Sequence, residues 1–176
     1  MERSELIEYI LQSSMFRKWH WFSYHFNYYN FGCEHPFAKS IIDSCVTCDE
    51  EIPGYAKKFV DRIISINGDE KDYSQYEQLI QALSELLIIK RTLSYDWPNL
   101  QKFCYEPTNE NSKKNPEIQV EFDQKTVGIE VKCPSWLKHI QHREASSFQL
   151  PYRGVYGRLD QLKETHKVFY FQEIIQ

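Results

Sequence analysis

Long apolar runs are missing from this 176-residue chain. None of its hydrophobic stretches approaches the ~20 residues a bilayer-crossing helix needs, which excludes a helical membrane protein. The opening Met1-Glu2-Arg3-Ser4-Glu5 has no basic segment leading into an apolar one, so the expectation is a chain without a secretory signal, working in the cytoplasm. A surplus of positive charge is missing as well. Lys and Arg number 21 against 25 Asp and Glu, a net of −4, which argues against a protein that coats nucleic acid through charge alone. There is no internal repeat and no low-complexity tract. The cysteines (Cys33, Cys45, Cys48, Cys104 and Cys133) are odd in number, which suits a reducing compartment better than a disulfide framework.

What is present suffices for a core. Hydrophobic residues make up 41% of the chain, which places it among folded domains rather than disordered segments. The charge is unevenly spread. Residues 1–112 hold 11 Lys and Arg against 17 Asp and Glu, whereas residues 113–176 hold 10 against 8. A polyanion is therefore expected to meet the C-terminal part. Composition changes near Asn67-Gly68-Asp69, which divides the chain into an N-terminal extension, 1–68, and a second unit, 69–176.

The extension opens with helical spacing at Leu6, Ile7, Ile10 and Leu11. An aromatic stretch follows from Phe16 to Phe31. Its alternation at Phe22, Tyr24, Phe26 and Tyr28 suits a strand, and the spacing of Trp19, Phe22 and Phe26 suits a helix. Tyr55 to Ile66 reads as a helix after Pro53-Gly54. The second unit starts with a long helix pattern, Tyr73 to Ser94, whose apolar face is Leu79, Ile80, Leu83, Leu86 and Leu87. Leu100 to Tyr105 reads as a short strand, and Ser135 to Ser147 and Val155 to His166 as helices. Lys167 to Phe171 reads as a last strand, set parallel by its helical crossover.

Between them lies the informative stretch. Glu117 to Phe122 and Thr126 to Lys132 each alternate polar and apolar residues around Asp123-Gln124-Lys125, the signature of a hairpin. Ile118, Val120 and Phe122 must share a face with Val127, Ile129 and Val131, so the loop holds an even number of residues. Two residues set Glu117 opposite Glu130; four set it opposite Lys132. Either register gathers Glu117, Glu130 and Lys132 on the polar side. Two carboxylates and an ammonium group there suit a divalent cation that takes hard oxygen ligands and keeps several waters. The lysine could position or deprotonate the attacking water, or offset charge on a phosphate. Gly128 could leave room for a ligand on the same face.

Pro116-Glu117, followed across the hairpin by Glu130-Val131-Lys132, resembles the signature of the PD-(D/E)XK nuclease superfamily. The resemblance covers residues 73–171 and implies an α/β fold: a restriction-endonuclease-like αβββαβ core with a central mixed sheet, here preceded by a mainly helical, aromatic-rich extension. It implies that Glu117, Glu130 and the Val131 carbonyl hold Mg²⁺ or Mn²⁺. Lys132 is then the catalytic lysine, and Glu85 on the long helix a further metal-binding or water-binding glutamate. The family usually carries Asp where this chain has Glu117; the extra methylene shifts where a metal would sit. The implied activity is metal-dependent hydrolysis of phosphodiester bonds, in DNA before RNA. A nuclease-like module that binds nucleic acid or a protein without catalysis is the alternative.

Lys113, Lys114, Arg143, Arg153, Arg158, Gln161 and Lys163 are candidate phosphate contacts, which position a backbone rather than read bases. Cys33, His35, Cys45 and Cys48 offer a zinc-type ligand set, which would make the protein a zinc-stapled interaction module with a purely structural hairpin. Buried apolar thiols are the competing reading. The aromatic stretch suits core or interface more than base stacking. The last strand leaves an edge for a homodimer or protein partner.

Overall fold

The computed structural model describes residues 1–66, 71–107 and 116–133, together with residues 135, 137, 138 and 141. The chain is mixed α/β: residues 1–129 hold, among those described, five α-helices and a three-stranded antiparallel sheet.

Helix α1 (Arg3–Leu11) starts at a capping box in which Glu2 and Glu5 each satisfy the other's backbone N–H. It buries Leu6 and Ile10, one turn apart. The aromatic stretch resolves into short helical turns rather than a strand: α2 (Ser23–Phe26) and a 3₁₀ segment, Asn27–Phe31. Phe22 and Phe26 point into the core, whereas Trp19, Tyr24 and Phe31 are exposed.

Helix α3 (Pro36–Glu51) lies where the sequence suggested zinc ligands. Pro36 takes the first helical turn, where its missing N–H costs nothing, and His35 Nδ1 accepts the Phe37 N–H. Ala38, Ile41, Ile42, Cys45 and Cys48 then fall on one buried stripe. Helix α4 (Tyr55–Ser65) follows a tight bend at Gly54, whose φ of 86° is left-handed and strains any residue with a side chain. Asp49 of α3 accepts the Ala56 N–H at 2.9 Å and so caps the first turn of α4. The long helix α5 (Tyr73–Leu93) begins where the Asp72 side chain accepts the Gln75 N–H. It buries Leu79, Ala82, Leu86 and Ile89. Leu87, expected on the buried face, is exposed, because the 79–82–86–89 stripe already meets the other helices.

Strands β1 (Leu100–Tyr105), β2 (Ile118–Phe122) and β3 (Lys125–Ile129) form a simple meander. The β2–β3 register pairs Phe122 with Lys125 and Ile118 with Ile129. The loop is therefore the two-residue alternative. Asp123 and Gln124 both take positive φ (46° and 60°), as the turn that matches strand twist requires. Strand β3 ends at Ile129, earlier than the alternating pattern suggested, so Glu130 and Lys132 lie just past its end.

One buried cluster joins α1, α3, α4 and α5 to Ile118 of β2. It includes residues from both sides of the expected 68/69 boundary, which itself lies outside the described residues. Fully burying side chains such as Phe26, Ile42 and Leu86 contributes about 1.5–3 kcal/mol each, and among the described residues most of the fully buried side chains belong to the helical layer. The sheet adds Ile118 and Val120, and docks Tyr105 edge-on against Tyr55 of α4 with ring centroids 5.2 Å apart. Ser135 Oγ accepts the Lys138 N–H, a helix-opening contact, and Leu137, Lys138 and Gln141 are helical. The second expected helix and the last strand, and with them the mixed character of the sheet, lie outside the described residues.

Candidate functional site at the open end of the hairpin

Glu117 stands where β2 begins, and Glu130 and Lys132 lie just past the end of β3. The Glu117 backbone is pinned to the sheet because its carbonyl accepts the Glu106 N–H at 2.9 Å, one step beyond the β1–β2 ladder. Across the hairpin, the Val131 N–H donates to Glu117 Oε2 at 2.7 Å. The motif's central residue thus engages Glu117 through its amide. Pro116 has a packing role: a Cβ on Gly128 would sit 3.1 Å from the Pro116 ring. The space left by that glycine is filled by Pro116, which corrects the expectation that it would admit a ligand.

Glu117 is half-buried, and its carboxyl is pushed above the usual carboxylate range. Burial is the main cause, the Val131 N–H works the other way, and the charges of Glu85 and Glu130 add to the rise. Lys132 Nζ lies 2.8 Å from Glu130 Oε1, and this contact raises the lysine pKa. Glu85 projects from α5 beside the hairpin end, where neighbouring Ser84 Oγ lies 3.7 Å from Cys133 Sγ. Its carboxylate is held by Arg62 of α4 through both guanidinium nitrogens, with Nη2 3.0 Å from Oε1. Tyr105 and Tyr55 border this pair, and burial pushes both phenols well above their ordinary pKa.

The structure therefore brings Glu85, Glu117, Glu130 and Lys132 into one electrostatic neighbourhood. It adds Arg62 and Tyr105, which the sequence did not single out. Arg62 reads as an ordinary polar residue of an amphipathic helix, and its partner lies 23 positions away. No local pattern announces it.

The donor set fits a small hard cation. Its atoms are carboxylate oxygens, and two of the three carboxylates already hold cationic groups of the protein itself, Arg62 and Lys132. Among the described residues no three His, Cys, Asp or Glu side chains converge into a ready-made metal cage. The fit is that of one or two carboxylates with water completing the coordination, the usual pattern for Mg²⁺.

The four zinc-type candidates do not come together. Cys33 is exposed, His35 spends Nδ1 on capping α3, and Cys45 and Cys48 sit inside the helical core. Burial pushes the Cys48 thiol up to about 12 and that of Cys45 higher still, as expected for thiols packed in an apolar core. Lys113, Lys114, Arg143, Arg153, Arg158, Gln161 and Lys163 lie outside the described residues. No described helix is long and apolar enough to cross a membrane.

Comparison of the chain with protein-family models, with curated proteins and with solved structures found no match.

Proposed function

We propose that the protein is a divalent-metal-dependent nuclease of restriction-endonuclease-like fold, hydrolysing phosphodiester bonds in nucleic acid, DNA before RNA. One observation carries the reading. The two-residue hairpin register sets Glu117 across from Glu130, which pairs with Lys132, and the charges of Glu85 and Glu130 both act on Glu117. The order α5–β1–β2–β3 supports it, since it follows the first four elements of the core that the motif resembles.

In this reading Glu117 and Glu130 hold Mg²⁺ or Mn²⁺, with Glu85 beside them. The bound cation would neutralise phosphate charge and supply an activated water. The protein's own groups divide the remaining work. Glu117 sits in a partly desolvated place where its negative charge is poorly compensated, which favours a cation. Lys132 is exposed and held charged by Glu130, which suits it to offset charge on a phosphate oxygen better than to remove a proton from water. The Val131 N–H fixes the Glu117 rotamer.

The test is incubation with mixed DNA and RNA in Mg²⁺, Mn²⁺ or EDTA, beside Glu130→Ala and Lys132→Ala. Metal-dependent cleavage that falls at least about 100-fold in both variants is expected. Equal cleavage by parent and variants places the chemistry elsewhere.

A second reading has its own observation: Glu85 and Glu130 are each already neutralised by a protein cation. On that ground the chain is a nuclease-like module that binds nucleic acid or a protein partner without cutting. It predicts binding that survives both EDTA and Lys132→Ala.

A further inference from the structure

The ion pair between Arg62 and Glu85 joins two parts of the protein that the sequence treats separately. Arg62 belongs to α4 in the N-terminal helices, and Glu85 belongs to α5 beside the hairpin. The contact is two-pronged, guanidinium fork to carboxylate. The two side chains are unequal. Glu85 is 19% exposed and Arg62 is 43% exposed, so the guanidinium side is the more open of the two, and the Glu85 charge is felt at Glu117. No second carboxylate is recorded within ion-pair distance of Arg62 among the described residues. Tyr55 and Tyr105, its neighbours, stay neutral at physiological pH and do not compete for it as charges.

Resting on the nuclease reading, we propose that Arg62 is an exchangeable ligand of the site. It holds Glu85 while no divalent cation is bound, and it binds a substrate phosphate once the cation has drawn Glu85 away. Three features carry this. A carboxylate and a phosphate offer the guanidinium the same pair of oxygens, so Arg62 can pass from one to the other without changing its donor geometry. Glu85 would be drawn to a compact divalent cation held near Glu117 and Glu130 more strongly than to a half-exposed guanidinium, whose pairing is weakened by solvent. The freed Arg62 then stands at the edge of the site as an unneutralised cation, the group a phosphodiester needs beside a metal centre. The N-terminal helices would thereby supply a substrate-binding residue as well as a scaffold.

The two halves of the proposal predict opposite signs in one variant. Arg62→Gln removes the competitor for Glu85, so Mn²⁺ binding, followed by electron paramagnetic resonance titration, tightens by about fivefold. The same variant loses a phosphate ligand. Binding of a fluorescein-labelled DNA duplex in saturating Ca²⁺, followed by anisotropy, therefore weakens by about fivefold. Adding Glu85→Gln to Arg62→Gln abolishes the gain in Mn²⁺ affinity. A purely structural clamp between α4 and α5 moves both affinities the same way or neither, and either result overturns the exchange. Arg62→Lys covers the case in which Arg62→Gln does not fold by circular dichroism. It keeps the charge but loses the fork, and is expected to weaken DNA binding without weakening Mn²⁺ binding. Failure of the nuclease reading is separate: neither the parent nor Arg62→Gln then takes up Mn²⁺. Equal Mn²⁺ uptake by both overturns only the role of Arg62.

Discussion

The helical core and the open end of the hairpin handle polar groups in opposite ways. In the core His20 and Asp49 are buried with hydrogen-bond partners. His20 accepts the Phe22 N–H on Nδ1 and meets the Ile63 carbonyl at 2.9 Å through Nε2. Asp49 caps α4, and the thiols of Cys45 and Cys48 are kept protonated by burial. At the hairpin end Glu117 is held above its ordinary pKa by burial, and the charges of Glu85 and Glu130 add to the rise. A fold concentrates unfavourable charge where a ligand can relieve it, and removes it where only packing is at stake.

Four experiments sharpen or break that contrast, in decreasing order of their effect on stability. Phe26→Ala empties a fully buried site among the helices and should cost about 3–5 kcal/mol by urea denaturation. Phe31→Ser, at a ring 75% exposed, should stay within about 0.5 kcal/mol. A loss at Phe31 as large as that at Phe26 would show the aromatic stretch to be packed against something in solution.

Next comes pH. Burial lowers the His20 pKa below its ordinary 6.5. The unfolded chain therefore takes up a proton at 6.5 that the folded chain refuses. Stability is full above pH 6.5 and falls as pH drops from there toward the folded pKa, with a slope of at most about 1.4 kcal/mol per pH unit from this group. Denaturation midpoints between pH 7.5 and 5.5 should show this fall, and His20→Gln should flatten it. An unchanged slope in His20→Gln assigns the effect to another group.

Glu117→Gln comes third, and its sign separates the two regions. The folded state raises the Glu117 pKa, so the ionised carboxylate disfavours folding at neutral pH, and that cost disappears as pH falls through the folded pKa toward 4.5. The amide can still accept the Val131 N–H. Glu117→Gln should therefore raise the melting temperature slightly at pH 7, while abolishing the metal-dependent cleavage proposed above. A lower melting temperature would mean that the carboxylate is part of the scaffold. The smallest effect is expected at the turn. Gln124 sits at φ 60°, and Gln124→Gly should add up to about 1 kcal/mol by relieving that backbone.

Much of this was legible in the sequence, and the exceptions share a cause. Helices α1, α4 and α5 follow from local periodicity, and the hairpin follows from alternation flanking a polar turn. Helix α3 was obscured because Cys33, His35, Cys45 and Cys48 drew the reading toward ligands. Its own signals were there in Pro36 at the first turn and the apolar spacing of Ala38, Ile41, Ile42, Cys45 and Cys48. Residue types that serve both as metal ligands and as core fillers cannot be sorted without knowing what packs around them.

The sequence by itself determined helices α1, α4 and α5 and the hairpin, because periodicity along a helix and alternation along a strand are local properties of the backbone. The tertiary structure decided between two and four turn residues, through two positive φ angles at Asp123 and Gln124. It decided that Gly128 makes way for Pro116, and that Cys45 and Cys48 are core. It also placed Arg62 against Glu85. Each of these depends on which surfaces meet across long stretches of chain, and no window of neighbouring residues carries that information.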